Sequence, residues 1–214
     1  MVIKVEIWSD IACPFCYIGK RKFEQALAQF EHKDQVEVEW KSFLLDPNKV
    51  TDPSVKIKES LAKRKGISIE EAEKMSDYVT LAAKPVGLDY NFDKMIVANT
   101  FKSHRLLHFA KTKGKQNDLK EALLKAYFLD GKNIDDNKTL TEIAVSNCFD
   151  NTELEAFLNS EEYTEQVKSD ISDAQEIGVQ GVPFFVFDRK FAISGAQDSE
   201  VLLNTLEKAY SEAK

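Results

Sequence analysis

The sequence has little of what marks a secreted, membrane-embedded or nucleic-acid-binding protein. Its 214 residues include three cysteines, too few for the disulfide framework of a small secreted domain. No apolar run approaches the roughly 18 residues that suggest a membrane-spanning helix. The formal net charge of −7 argues against a nucleic-acid partner, which requires a basic surface. We therefore expect neither a nucleic acid nor a membrane as partner.

The start of the chain also lacks the pattern of a secretory signal. Val2 leads directly into a strand-like run, and no charged segment followed by an apolar one precedes it. The composition, 43% apolar and 30% charged, is that of an ordinary globular protein. We therefore expect a cytoplasmic protein. In a reducing compartment a close cysteine pair is more often catalytic or metal-binding than structural.

What the sequence does contain is a cysteine pair at the junction of a strand and a helix. Residues 2–8 alternate and predict a strand, and a helical pattern follows from Pro14 to about Phe30. Cys13 falls at the start of that helix, where unpaired N–H groups and the helix dipole favour negative charge. We therefore expect a lowered pKa at Cys13 and a nucleophilic thiolate. Cys16 follows one turn later on the same face, within reach of Cys13.

Strand patterns occur at both ends of the chain and are almost absent from its middle. A second alternating run over residues 36–43 completes a β-α-β unit at the first end. Near the other end, residues 182–187 and 191–194 predict a hairpin, and a helix follows over 199–209. The middle predicts helices over 55–65, 68–84, 95–113, 119–129, 139–148 (capped by Asn137 or Thr139), 152–158 and 161–177.

The two ends together have the element order of a thioredoxin fold, β-α-β followed by β-β-α. We therefore predict an α/β protein in which residues 1–50 and 179–214 form one discontinuous thioredoxin-like domain. Residues 51–178 are predicted to form a large, all-helical insertion between its halves.

These motifs resemble the DsbA-like thioredoxin family, and within it the FrnE branch. The branch pattern C-P-[WF]-C-[YF]-x-G is complete over residues 13–19, and the Val182-Pro183 pair and the segment 194–197 follow in the family's order. The branch also carries an Asn-Thr…His-Arg signature, which corresponds here to Asn99, Thr100, His104 and Arg105. The resemblance covers essentially the whole chain, and it makes Asn99, His104 and Arg105 further site candidates.

The resemblance implies a dithiol–disulfide oxidoreductase or isomerase that acts on protein or peptide substrates without a bound cofactor. Cys13 would be the attacking nucleophile, Cys16 the resolving thiol and Pro183 a cis-proline that faces them. The backbone of Val182 would pair with an extended substrate by β-augmentation, beside apolar surface that includes Pro14 and Phe15. Glutathione or a thioredoxin-type protein is the expected redox partner.

The residue between the cysteines departs from the strongly oxidising relatives, which have a histidine there. Phe15 cannot donate a hydrogen bond to sulfur and cannot carry a charge. We therefore expect a less extreme lowering of the pKa of Cys13. The couple should also be less oxidising than that of DsbA, about −120 mV.

A zinc site is an alternative explanation of the cysteine pair. It would need two further ligands, which His104 and His108 could supply from one face of a predicted helix. Structural zinc sites are usually compact, however, and these ligands are roughly ninety residues apart. The position at a helix start explains the cysteines better, so we expect no metal.

Three other candidates have competing interpretations. Asp10 either forms the turn before the helix or is an acid–base group near the sulfurs, where its charge would raise the thiol pKa. His104 and Arg105 either line a substrate groove between the subdomains or hold the helices of the insertion together. Cys148 is expected to be a small, buried apolar residue, the alternative being a second redox role.

Two other functions compete with the oxidoreductase. The 2-hydroxychromene-2-carboxylate isomerases and kappa-class glutathione transferases have a similar layout and bind glutathione, but use a serine-type position where Cys13 stands. A non-catalytic holdase would bind unfolded chains in an apolar cleft without using the cysteines. The intact cysteine pair favours thiol–disulfide exchange.

Overall fold

A computed structural model describes residues 2–213 of the chain. Their helices and strands are, in chain order, β1 (Ile3–Ser9), α1 (Pro14–Gln29), β2 (Val36–Ser42), β3 (Asp52–Lys56), α2 (Ile57–Lys65), α3 (Ile69–Ala83), β4 (Ile96–Val97), α4 (Phe101–Thr112), α5 (Gln116–Phe128), α6 (Asn137–Ser146), α7 (Asn151–Leu158), α8 (Thr164–Glu176), β5 (Phe184–Phe187), β6 (Phe191–Ser194) and α9 (Ser199–Ala213). The chain divides into two compact units. The first comprises the residues up to Leu45 and those from Val167 onwards, and the second comprises Asp46–Gln166.

Four strands of the first unit form one mixed sheet in the order β2-β1-β5-β6. The strands β1 and β2 run parallel, with Ile3 opposite Val36 and Ser9 opposite Ser42, because the intervening α1 crosses over between them. The strand β5 runs antiparallel to both β1 and β6. The β-α-β and β-β-α halves predicted from the sequence are therefore present, and the α/β fold class is confirmed.

The two faces of this sheet are packed differently. Alternate side chains of β1 and β5 point to one face, where they form an apolar core with α1, β6 and α9. The buried members of that core are Ile3, Val5, Ile7, Phe23, Ala26, Phe30, Trp40, Phe185, Phe187, Ile193, Leu202, Leu206 and Ala209. The other face carries a smaller buried cluster of Trp8, Ala174, Val179 and Val186, together with buried charged groups.

These charged groups attach α8 to the first unit. The buried Asp170 of α8 accepts hydrogen bonds from the Lys41 ammonium at 2.7 Å and from the Ser42 N–H at 2.8 Å. The Trp8 indole also donates to the backbone oxygen of Asp170 at 2.9 Å. Most of α8 packs on this sheet. The chain therefore returns from the second unit to the first at 166/167, whereas the sequence predicts this boundary at 178/179.

The second unit contains a small sheet that the sequence analysis does not predict. The strands β3 and β4 pair antiparallel, with Asp52 opposite Val97 and Lys56 opposite Ile96. The expected helix over residues 95–113 is therefore wrong at its start, because β4 occupies residues 96–97 and α4 begins at Phe101. A strand of two residues is too short to produce a detectable alternation, so the insertion is mainly rather than entirely helical.

Three helices of the second unit, α3, α6 and α7, begin at a residue whose side chain caps the helix. Ser68 Oγ accepts the Glu71 N–H at 3.1 Å, and the Glu71 carboxylate accepts the Ser68 N–H at 2.8 Å, which is the capping box predicted for α3. The cap of α6 is Asp136, one residue before the first of the two caps predicted for it. None of the helices within residues 2–213 combines the length and the hydropathy needed to cross a bilayer.

Candidate active site

The cysteine pair lies where β1 leads through a short turn into α1. Cys13 is the N-cap residue of α1, Pro14 occupies the first turn of the helix, and the Cys13 N–H donates to the backbone oxygen of Asp10 at 3.3 Å. Both cysteines are in the dithiol form. Cys13 is 4% exposed and Cys16 is 0% exposed. Both cysteines are therefore buried, and Cys13 is the less buried of the two.

A loop from the other end of the chain faces Cys13. The Val182–Pro183 peptide bond in this loop is cis, as the resemblance implies. The Cys13 thiol donates to the Val182 carbonyl oxygen, with 3.4 Å between sulfur and oxygen. The Pro183 carbonyl in turn accepts the Gly195 N–H at 2.8 Å, which fixes the loop to the end of β6. The structure thus brings Cys13, Val182 and Pro183 together, and their roles in catalysis stay predictions.

The pKa of the Cys13 thiol is raised well above its ordinary value. The main cause is its hydrogen bond with Cys16, burial is the second, and the charge of Asp10 adds to both, while the Cys16 N–H acts in the opposite direction. This direction is opposite to the lowering expected from the helix terminus. The reason is that the hydrogen bond with Cys16, followed by burial, favours the neutral thiol over the thiolate.

Asp10 fixes the backbone around the cysteines. The residue is 2% exposed. One carboxylate oxygen accepts the Ala12 N–H at 3.2 Å, and the other accepts the Leu45 N–H at 2.8 Å. These contacts support the interpretation of Asp10 as a turn residue, and they show that it also anchors the backbone at the end of the segment 1–45.

The surface next to Cys13 is apolar. Phe15, between the two cysteines, is 38% exposed. Pro14 and Val182 are both partly exposed. Leu45, whose N–H is bound by Asp10, is also an exposed apolar residue. Exposed and partly exposed apolar side chains therefore lie near Cys13 in the chain and in the facing loop, and such side chains favour an apolar segment of a partner.

Two backbone groups of this site are not identified by the sequence analysis. The Leu45 N–H holds Asp10, and the Gly195 N–H holds the loop that carries Pro183. A backbone donor leaves no side-chain pattern, so no motif marks Leu45. For Gly195 an indirect indication exists, because it lies in the segment 194–197 that contributes to the family resemblance.

Asn99, a candidate from the resemblance, is engaged within the second unit. Its side-chain amide donates to the Lys49 carbonyl at 2.7 Å, and its side-chain oxygen accepts the Phe101 N–H at 2.7 Å. The oxygen thereby satisfies a backbone donor at the start of α4. Asn99 thus joins the β3 side of the unit to the first turn of α4.

Arg105 and His104 lie on α4, and both are buried. The Arg105 guanidinium donates to the Glu162 carbonyl at 2.7 Å and to the Ser160 carbonyl at 2.5 Å. It also lies over the Phe157 ring at 5.2 Å. These contacts support the interpretation in which Arg105 holds α4 to the segment that follows α7.

Cys148 does not occupy the buried position expected for it. It is exposed and has a positive φ of 62°, and its N–H donates to the Val145 carbonyl at 2.9 Å. The expectation is wrong because α6 ends at Ser146 rather than continuing through Cys148. The residue therefore lies in the left-handed turn that closes the helix.

The zinc alternative requires four ligands in one place. Within the part of the chain that the structure describes, no group of three or more His, Cys, Asp or Glu side chains could hold a metal ion. Cys13 and Cys16 instead contact each other, as the causes of the pKa shift at Cys13 show.

Comparison with known proteins gives a consistent set of relatives. A family model described as the DSBA-like thioredoxin domain matches residues 4–207. The uncharacterized protein YwbO of Bacillus subtilis (strain 168) is 27% identical over 220 residues, which cover 99% of this chain and 98% of YwbO. The crystal structure of probable DsbA oxidoreductase SCO1869 from Streptomyces coelicolor has a TM-score of 0.91 at 40% identity, over 98% of this chain and 91% of that one. The cytosolic disulfide reductase DsbM from Pseudomonas aeruginosa, also solved with GSH, shares the fold with a TM-score of 0.69 at 13% identity, over 97% and 98% of the two chains.

Proposed function

This chain belongs to the DSBA-like thioredoxin family of thiol–disulfide oxidoreductases, and from this premise we propose that it exchanges disulfides with protein or peptide thiols through Cys13 and Cys16. One observation carries the proposal. The Cys13 sulfur, at a helix start, lies 3.4 Å from the carbonyl of Val182, beside a cis-proline and next to exposed apolar surface. A thiol in this setting has a second thiol, that of Cys16, in contact with it, and apolar side chains nearby.

The exchange begins at Cys13, the less buried of the two cysteines. Cys13 loses its proton to solvent, and its thiolate attacks one sulfur of a substrate disulfide. The substrate S–S bond breaks, the leaving sulfur takes up a proton, and a mixed disulfide joins the substrate to Cys13. Cys13 is the attacking residue because Cys16 is fully buried.

The buried cysteine completes the exchange. The Cys16 thiolate attacks the Cys13 sulfur, the mixed disulfide breaks, and the second substrate sulfur leaves as a thiol. Two electrons have then passed from the enzyme to the substrate, and Cys13 and Cys16 are joined in a disulfide. The same steps in reverse oxidise a substrate dithiol, so the reduction potential of the pair sets the direction.

The substrate is proposed to lie as an extended segment across Val182. The backbone of Val182 offers hydrogen-bonding groups to such a segment, while Pro14 and Phe15 offer apolar contact with little dependence on sequence. This arrangement suits unfolded or partly folded chains, in which extended segments are accessible.

The couple is proposed to be less oxidising than that of DsbA. DsbA is a strong oxidant because its reduced form is stabilised, and its cysteine has a very low pKa. Here the pKa of Cys13 is raised, so no stabilised thiolate favours the dithiol at neutral pH. We therefore propose that the protein works in the cytoplasm, the compartment of the fold neighbour DsbM, which is described as cytosolic.

The trapping of a mixed disulfide tests the proposal. The Cys16→Ser variant cannot resolve the adduct, so an oxidised peptide should stay attached to Cys13 and appear as one added mass. The variant Cys13→Ser should trap no adduct at position 13 or 16. The matched background is Cys148→Ser, which removes the exposed third thiol. Absence of any adduct on Cys13 in the Cys16→Ser variant would contradict the proposal.

Glutathione is a second candidate partner, and the observation that favours it is the structure of DsbM with GSH. In this version the Cys13 thiolate attacks the glutathione sulfur of a glutathionylated substrate, and the substrate sulfur leaves as a thiol. A second glutathione thiolate then attacks the Cys13–glutathione disulfide and releases oxidised glutathione and the Cys13 thiolate. Turnover would then depend on glutathione and survive in the Cys16→Ser variant. Loss of glutathione-dependent turnover in that variant would leave the dithiol route as the function.

A further inference from the structure

Among the residues that the structure describes, Gly19 is the one glycine that lies within a helix. Glycine destabilises a helix interior relative to alanine. A positive φ does not explain its presence, because Gly19 lies inside α1. Gly19 is also buried, so the space around it is the remaining reason for the missing side chain.

That space is filled by the cis-proline. A Cβ at position 19 would lie 2.7 Å from Cγ of Pro183, and 3.4 Å from both Cβ of Pro183 and Cζ of Phe185. A Cβ contact below 3.0 Å essentially never occurs, so one of the neighbours would have to move. Only the contact with Pro183 is this short.

The proline loop is the part that would move. Phe185 is fully buried in the apolar core, 5.7 Å from the Phe23 ring between centroids, and it makes only an ordinary contact with the added atom. The ring of Pro183 is closed onto its own backbone, so its Cγ can move only by a change of ring pucker and cannot rotate out of the contact as the end of a flexible side chain would. Any further displacement of that atom carries the backbone of the loop with it.

The same loop holds the acceptor for the reactive thiol. The Val182 carbonyl lies 3.4 Å from the Cys13 sulfur, and the Pro183 carbonyl is tied to Gly195. We propose that Gly19 is a positioning residue. Because it has no side chain, the Pro183 ring can lie against α1, and this packing sets the contact between Val182 and Cys13. This role rests on the proposed thiol–disulfide exchange.

A methyl group at position 19 should change the balance between dithiol and disulfide. The S–H···O contact with Val182 exists in the dithiol and not in the disulfide, so its loss in Gly19→Ala destabilises the dithiol. The equilibrium with glutathione then shifts towards the Cys13–Cys16 disulfide by about two- to tenfold, the usual range for one hydrogen bond. Alkylation of Cys13 at neutral pH should become faster for the same reason.

The test compares two glycine-to-alanine variants in glutathione redox buffers, with the thiol state read by alkylation and mass. Gly181→Ala is the matched control, because a Cβ there meets nothing within 4 Å and its φ is not positive. We expect a shifted equilibrium constant in Gly19→Ala and a wild-type constant in Gly181→Ala. A folded Gly19→Ala variant with the wild-type constant and alkylation rate would overturn the positioning role.

A double variant keeps the test decisive if Gly19→Ala folds poorly. Pro183→Ala removes the Cγ atom that the new methyl would meet, so Gly19→Ala should add little further change in that background. Equal effects in both backgrounds would show that the two residues act independently and would overturn the proposal.

If the wild-type pair never closes a disulfide, the proposed function itself fails. If the pair closes and Gly19→Ala leaves the constant unchanged, only the role of Gly19 fails.

Discussion

Two sets of motif residues, one in each unit, are used differently by the fold. In the first unit the Cys13 sulfur has the Val182 carbonyl and the Cys16 thiol beside it. In the second unit Asn99 and Arg105 direct their polar atoms to backbone groups of their own unit. Buried polar groups are normally satisfied in this way. The motif residues therefore fall into two groups, reactive and supporting, and what their polar atoms contact in the structure distinguishes the two.

The largest expected effect on exchange comes from removing the reactive sulfur of the first unit. In Cys13→Ser the hydroxyl oxygen cannot form a disulfide, so reduction of a small peptide disulfide should fall roughly a thousandfold or more. The Cys148→Ser variant, which changes an exposed thiol in the other unit, should keep wild-type turnover. Loss of turnover in Cys148→Ser, or retention of turnover in Cys13→Ser, would show that Cys13 is not the reactive residue.

The pH dependence of Cys13 tests the raised pKa directly. In the Cys148→Ser background, alkylation of Cys13 should accelerate about tenfold per pH unit and reach no plateau below about pH 8.5. The folded dithiol holds this proton more tightly than the unfolded chain does. Its free energy of unfolding should therefore be fully maintained below about pH 8.5 and fall at higher pH. A rate plateau near neutral pH would show that the helix terminus prevails and that the pKa is lowered.

The Phe15→His variant tests whether the residue between the cysteines explains the expected difference in potential from the strongly oxidising relatives. An imidazolium between the cysteines would stabilise a thiolate at Cys13, so the dithiol should be favoured about tenfold more, or ~30 mV in potential. The apolar variant Phe15→Leu should leave the equilibrium constant within about a factor of two. Equal potentials for the histidine and leucine variants would show that the residue at position 15 does not tune the pair.

The smallest expected effect on exchange comes from Arg105, a supporting residue of the second unit. Arg105→Ala removes a buried cation that donates to two carbonyls, so the free energy of unfolding should fall by about 2–3 kcal/mol. Exchange at Cys13 should change by less than about twofold, because the Arg105 guanidinium is engaged by backbone carbonyls of its own unit. Arg105→Lys should show a smaller loss of stability. A variant that loses exchange and keeps its stability would place Arg105 in the active site.

The sequence is sufficient for the fold class because strand alternation and helical periodicity are local properties. It also locates Cys13 and Cys16 at the start of α1 for the same reason. The pKa direction at Cys13 could not be predicted, because it depends on Cys16, on burial and on Asp10 in three dimensions. The exposure of Cys148 was missed because α6 ends two residues earlier than its pattern indicates.

The role of Gly19 illustrates the same limit. A glycine inside a helical pattern indicates a packing or functional reason, but the sequence does not say which element approaches it. The contact comes from Pro183, more than a hundred residues away in the chain. Long-range contacts of this kind require the fold.

The most direct measurement is the thiol state of Cys13 and Cys16 across a series of glutathione redox buffers, read by alkylation and mass. We predict one two-electron transition between the dithiol and a Cys13–Cys16 disulfide, with a midpoint more negative than the value for DsbA, about −120 mV. A pair that never closes, or a Cys13 that retains glutathione as a stable adduct, would contradict it.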